Sequence, residues 1–130
     1  DEVLVKIRIP RDHYEGWTGH YFKYGKRRAL EIATMGCCCL VKLSDDKKCI
    51  DDIRLAFGVA APTPIRARNA EDAVRGLAVE EAVEKIGKLA QQDTNPRDSW
   101  RASKEFRLQL IKEMSKRSLT YAARKGGADI

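Results

Sequence analysis

Lys23, Tyr24, Lys26, Arg27 and Arg28 fall within one short stretch, Phe22-Lys-Tyr-Gly-Lys-Arg-Arg28, with Tyr21 immediately before it. An ammonium on a four-carbon stem, projecting from a strand end, can reach a phosphate or another anionic oxygen and stabilise charge there. Cations interleaved with aromatics are also how single-stranded nucleic acid is held, by charge and stacking together. The plain alternative is a solvated basic turn, the usual fate of a charge cluster. His13, between Asp12 and Tyr14, has an acid beside it that could orient an imidazole. No Ser or Cys nucleophile is placed next to it by sequence, so a surface-loop histidine is expected and no catalytic residue is assigned.

The four cysteines point away from metal chemistry. Cys37, Cys38 and Cys39 are consecutive. On a strand their side chains alternate between faces, and neighbours there cannot close a disulfide without distortion. Cys49 stands alone, no C-x-x-C pair occurs, and only His13 and His20 remain as further soft ligands. Tetrahedral zinc needs four converging ligands. No metal site is therefore expected, and free thiols suit a reducing, cytoplasmic setting.

These residues must be positioned by a small fold. The chain has 130 residues, 43% of them hydrophobic, enough for one domain (1–130) with a core. It contains neither a long uncharged apolar run nor a charged-then-apolar leader, so membrane insertion and secretion are not expected. It opens without Met on Asp1-Glu2 and then on Val3 to Ile9, where Val3, Val5, Ile7 and Ile9 alternate in strand period with Leu4, Lys6 and Arg8. A start directly on a strand suggests a fragment of a longer protein.

A second strand is expected over Trp17 to Tyr24 and a third over Ile32 to Leu43, with Met35, Cys37, Cys39, Val41 and Leu43 on one face. Gly36 within it signals a bulge or a close backbone approach. Ser44-Asp-Asp-Lys-Lys48 makes a polar hairpin loop. Ile53, Leu55 and Phe57 alternate with Arg54 and Ala56 in a fourth strand that Gly58 ends. Pro62 and Pro64 lock φ and remove two donors, making Ala60 to Ile65 an extended connector outside any ladder.

The period then changes to that of helices. Asn69 is the expected N-cap of a short first helix, with Glu71 and Asp72 at its positive end and Gly76 as its stop. Val79, Ala82, Val83, Ile86 and Ala90 form the stripe of a second, supported by Glu81/Lys85 and Glu84/Lys88 pairs. Asn95-Pro96 breaks the pattern. Ser103 caps a third helix with the stripe Phe106, Leu110, Ile111, Met114 and Tyr121, ending at Gly126-Gly127. The expected class is α+β: a two-layer sandwich in which an antiparallel four-stranded meander is followed by three helices packed on one face.

Three stretches carry a resemblance: Phe22 to Arg28 with Glu31-Ile-Ala33, the run Ile53-Arg-Leu-Ala-Phe-Gly-Val-Ala-Ala-Pro-Thr-Pro-Ile-Arg66, and Ser99-Trp-Arg-Ala-Ser-Lys-Glu-Phe-Arg107. Over nearly its whole length the chain resembles the C-terminal domain of the FAD-binding subunit of molybdenum-containing xanthine dehydrogenases, of the CO dehydrogenase flavoprotein C-terminal type. The resemblance implies the two-layer architecture above. It also implies that Lys23, the lysine after the aromatic, contacts FAD, and that the following segment is a loop beside the flavin. It implies a main FAD-binding portion of the same subunit N-terminal to this domain, and partner subunits carrying the molybdenum cofactor and the iron-sulfur clusters, with NAD as the final electron acceptor. Animal members have acidic residues shortly after the paired arginines, where this chain has Ala29-Leu30. The Trp100 to Arg107 stretch, the most specific C-terminal part of the resemblance, is expected to be structural, with Trp100 and Phe106 buried and Arg101 and Arg107 bonded to acceptors at element ends.

A net charge of +6 keeps a nucleic-acid-binding module as a rival, but the cations are scattered among 19 acids and form no single stripe. A purely structural interface domain is the third reading. With the resemblance, no nucleic acid and no membrane are expected as partners. The isolated fragment is expected to be inactive, to hold FAD weakly because no Gly-rich phosphate loop is present, and to self-associate, either as a dimer or by swapping its first strand.

Overall fold

The computed structural model describes residues 1–130. Four antiparallel strands run in sequential order: β1 (Thr18–Tyr24), β2 (Met35–Leu43), β3 (Ile50–Gly58) and the two-residue β4 (Ile65–Arg66). Three helices follow, α1 (Arg68–Val74), α2 (Val79–Gln92) and α3 (Lys104–Lys125). The α+β class is as expected.

Period-two alternation fixes which face of the sheet is covered. On β2, Met35, Cys37, Cys39 and Val41 are fully buried, and the register sets Cys37 opposite Phe57, Cys39 opposite Leu55 and Val41 opposite Ile53. These side chains join one core with Ile86, Ile111, Met114 and Leu119 of the helices. α3 lies across β1 and β2, α1 beside β3, and α2 packs on both other helices. On β1, His20 stacks on Tyr121 of α3 with ring centroids 4.7 Å apart, and Tyr24 meets Phe106 edge-on at 5.8 Å. The opposite face of the sheet carries no helix. Gly87 lets α2 and α3 approach, since a Cβ there would strike the Lys112 carbonyl.

Several expectations are corrected. Val3 to Ile9 forms no strand and is exposed throughout. The fourth strand is instead Ile65–Arg66, paired with Phe57 and Ala56. Beyond Pro64 the chain is extended and Ile65 and Arg66 regain N–H donors, so the ladder resumes inside the supposed connector. β2 begins at Met35, leaving Ile32 70% exposed in the preceding loop. The sheet irregularity lies at Lys42/Leu43 rather than at Gly36, whose open side is taken by the Tyr21 side chain and not by a backbone.

α1 starts at Arg68, with Ala67 at the cap position and no side-chain cap. Asp93, at the end of α2, substitutes: it accepts from the Ala70 N–H at 3.0 Å and from the Asn69 amide at 2.6 Å. Asn69 is thereby a donor to a neighbouring helix and not a cap. Ser103 does cap α3, accepting from Phe106 N–H at 3.2 Å. Glu81 and Lys85 pair at 2.6 Å, whereas Glu84 and Lys88 form no ion pair. Trp100 is 82% exposed, and Phe106 and Tyr121 only cover the flank of the core. Arg101 lies over the Trp100 ring at 4.4 Å instead of bonding an element end.

Candidate functional site

Lys23 is the penultimate residue of β1 and is exposed. Because His20, Phe22 and Tyr24 turn towards α3, the alternation puts Tyr21 and Lys23 together on the helix-free face. The Lys23 ammonium donates to the backbone carbonyl of Glu31 at 2.6 Å, so its stem is held against the loop that follows β1. Tyr21 is 62% exposed, and its hydroxyl sits over Gly36, about where a side chain on β2 would otherwise stand. Cys38 and Ala56 are aligned with Tyr21 across the ladder, and Gly58 with Gly36. The result is a flat floor of small residues flanked by one phenol and one ammonium. Half-burial on this floor pushes the Cys38 thiol above its ordinary value.

The loop between β1 and β2 is organised by Glu31. Its carboxylate accepts from Arg27 N–H at 2.5 Å, occupying space that only Gly25, lacking a Cβ, leaves open. The backbone donors of Arg27 and Lys26 hold this carboxyl below its usual value of 4.5. Thr34 N–H closes the loop on Tyr24 O at 2.9 Å. Lys26, Arg27 and Arg28 are left without ion pairs, and Leu30 takes a left-handed φ of 51° with its side chain fully in solvent. Lys26, Arg27, Glu31 and Thr34 line a cavity of about 250 Å³ together with Trp100 and Arg101.

Arg107 fastens this cavity to the helix layer. Only 1% exposed, it donates to Thr34 O at 2.6 Å and to Ser99 Oγ at 2.9 Å. Burial, with Arg97 and Arg101 nearby, lowers the pKa of its guanidinium. The expectation that Arg107 finds acceptors at element ends is met.

Of the other residues singled out, His13 lies exposed in a 3-10 turn (Arg11–His13), 4.0 Å from Asp12. Cys37 and Cys39 are buried in the core, where burial pushes the Cys37 thiol up to about 12. No group of three or more His, Cys, Asp or Glu is placed to hold a metal ion. Tyr21 faces one way and Phe22 and Tyr24 the other, so the aromatics do not converge with Lys23 into a stacking track. Tyr21, read in the sequence only as one aromatic of a nucleic-acid-type cluster, instead shares the open face with Lys23; its spacing of two from Lys23 on a strand was the available signal.

Residues 20–122 match the model of the CO dehydrogenase flavoprotein C-terminal domain. The chain is 41% identical over 131 residues to the xanthine dehydrogenase FAD-binding subunit of Escherichia coli O157:H7, a match covering 100% of this chain and 44% of that protein, and the K12 counterpart gives the same values. The chain thus spans less than half the length of these relatives. Among solved structures, a carbon monoxide dehydrogenase from Hydrogenophaga pseudoflava superposes with a TM-score of 0.76 at 29% identity, over 86% of this chain and 38% of that one. Quinoline 2-oxidoreductase from Pseudomonas putida 86 shares the fold, with a TM-score of 0.78 at 20% identity over 86% of this chain and 39% of its own. With four-fifths of its length inside the matched model and the expected sheet-and-helix order in place, this chain belongs to the CO dehydrogenase flavoprotein C-terminal domain family.

Proposed function

We propose that this chain is the C-terminal domain of the flavoprotein subunit of a xanthine dehydrogenase-type molybdenum hydroxylase, and that its helix-free face closes one side of the FAD site. The observation that carries this reading is the pairing of Tyr21 and Lys23 on one open face, above a floor of small residues. That arrangement suits a planar heteroaromatic group: beside the phenol, Cys38, Ala56 and Gly58 present no large side chain, and the ammonium offers a positive tip. Bound FAD supplies electron transfer between the iron-sulfur clusters and NAD in such an enzyme. Lys23 would stabilise negative charge on the ring system, and Tyr21 would exclude water from its face.

The sequence contains no Gly-rich phosphate loop, so the dinucleotide cradle belongs to the main FAD-binding portion of the subunit. The molybdenum cofactor and iron-sulfur clusters belong to partner subunits of a cytoplasmic assembly. This division makes the 130-residue chain inactive alone. The Glu31 carbonyl already orients the Lys23 ammonium, so little side-chain freedom is lost when an anionic group arrives.

The test is Lys23→Met and Tyr21→Leu in the complete flavoprotein subunit, with FAD content, FAD dissociation constant and flavin reduction potential measured. The expected result is about tenfold weaker FAD binding or a lowered potential in Lys23→Met, equivalent to about 1.4 kcal/mol. Unchanged FAD binding and potential in both variants would leave the domain a structural module only.

A further inference from the structure

Val3 to Ile9 has the sequence of a strand and the environment of none. Val3, Leu4, Val5, Ile7 and Ile9 are 84%, 79%, 89%, 79% and 66% exposed. Residues 1–9 take part in no helix or strand and in no backbone hydrogen bond. A tail that stays solvated is usually poor in β-branched residues. This one alternates Val3, Val5, Ile7 and Ile9 with Lys6 and Arg8, the pattern of a half-buried strand.

The domain's own sheet does not take it. β1 is an edge strand, so a partner position beside it is open. That margin is partly spoken for by α3, whose Lys125 ammonium donates to Gly19 O at 3.0 Å and whose Ala122 carbonyl accepts from Thr18 Oγ1 at 2.9 Å. The apolar stripe of Val3 to Ile9 would find no uncovered core there, because Tyr121 already covers His20.

The family model begins to match at residue 20, beyond this segment, whereas similarity to the Escherichia coli subunits runs over 100% of this chain. The segment is therefore shared with the relatives, yet lies outside the domain they have in common. Those relatives are more than twice as long, since this chain covers 44% of them. Polypeptide joined covalently to the segment meets it at a high effective concentration, which a second copy in dilute solution does not match.

We infer that Val3–Ile9 is a strand of a sheet belonging to the remaining, flavin-binding polypeptide of the same subunit, with Val3, Val5, Ile7 and Ile9 facing that sheet's core and Lys6 and Arg8 facing out. The inference rests on the subunit reading above. It makes the segment a structural tether: backbone pairing gives the affinity and the alternate side chains fix the register. The 3-10 turn at Arg11–His13 and Gly16, with φ of 75°, form the joint between tether and domain. A tether of this kind fixes where β1 begins, and so helps to set where Tyr21 and Lys23 stand.

Hydrogen exchange of the complete subunit and of the 130-residue chain tests this. The expected result is free-peptide exchange of residues 3–9 in the short chain and at least about tenfold slowing in the subunit. Ile7→Asp is expected to lower the Tm of the subunit and leave that of the short chain unchanged. Free exchange in the subunit would overturn the inference. So would protection in the short chain, whether independent of concentration (its own sheet) or rising with it (a second copy). Either failure leaves the Lys23 and FAD measurements untouched, so the two readings fall separately.

Discussion

Arg107 and Thr34 are joined across 73 residues: the guanidinium of a residue in the first turn of α3 donates to the carbonyl just before β2 at 2.6 Å. The bond ties the sheet's cationic loop to the helix layer, and no carboxylate forms an ion pair with the buried charge. A guanidinium stripped of water without an ionic partner is a net cost that the two hydrogen bonds and the buried stem offset. Arg107→Ala should lose both the packing and the bonds, about 3 kcal/mol in urea denaturation. Arg107→Met keeps most of the volume without the buried charge and should lose about half as much. Equal losses in the two variants would show that polarity, not packing, dominates.

Glu71 serves the opposite edge of the sheet. β4 is too short to satisfy all of β3, and the buried Glu71 carboxylate accepts from Leu55 N–H at 2.7 Å while holding Arg66 at 3.0 and 2.5 Å. Glu71→Ala would leave the buried Leu55 N–H without an acceptor while Arg66, about a third exposed, stays solvated, so it should cost about 2–3 kcal/mol. Glu71→Gln retains an acceptor for Leu55 and should cost clearly less. Chemical denaturation of both variants checks the order.

Gly87 sets two effects against each other. Alanine is the better helix former by about 1 kcal/mol, yet its methyl would meet the Lys112 carbonyl of α3. Backbone in two packed helices yields poorly, and overpacking costs about 1–3 kcal/mol. Gly87→Ala should therefore destabilise the domain, and a raised Tm would contradict the close α2–α3 contact.

The β1–β2 loop should respond to acid through Glu31. The folded loop depresses this carboxyl's pKa, so its contribution is complete above the ordinary value of 4.5 and fades as pH falls through the lower folded value. Trp100 lines the same cavity and reports on it. In a Trp17→Phe background, Trp100 emission should shift during acid titration, and Glu31→Gln should abolish that step.

What was legible in the sequence was whatever depended on local period and local chemistry. Alternation named the buried line of β2 and β3, and Ser103 announced the start of α3. Lys23 was singled out by motif, and its exposure on an open face follows from the same alternation. What was not legible depended on residues far apart in the chain. Asn69 has the chemistry of a cap, but Asp93 supplies the acceptor. Trp100 has the size of a core residue, but its neighbours in space are Arg101 and the Lys26–Arg27 loop. Val3 to Ile9 has a strand's pattern, but a pattern does not say whose sheet will use it. Likewise Glu31 could not be recognised as the loop's organiser, because Gly25 vacates the space for it only once the turn is formed.

The brevity of β4 has a bearing on solubility. Two paired residues after a proline-punctuated bend, backed by the Glu71 carboxylate on the backbone of β3, give a foreign peptide almost nothing to zip onto along that border. That border is therefore a poor template for fibrillar stacking, which the domain's own gatekeepers discourage from this direction.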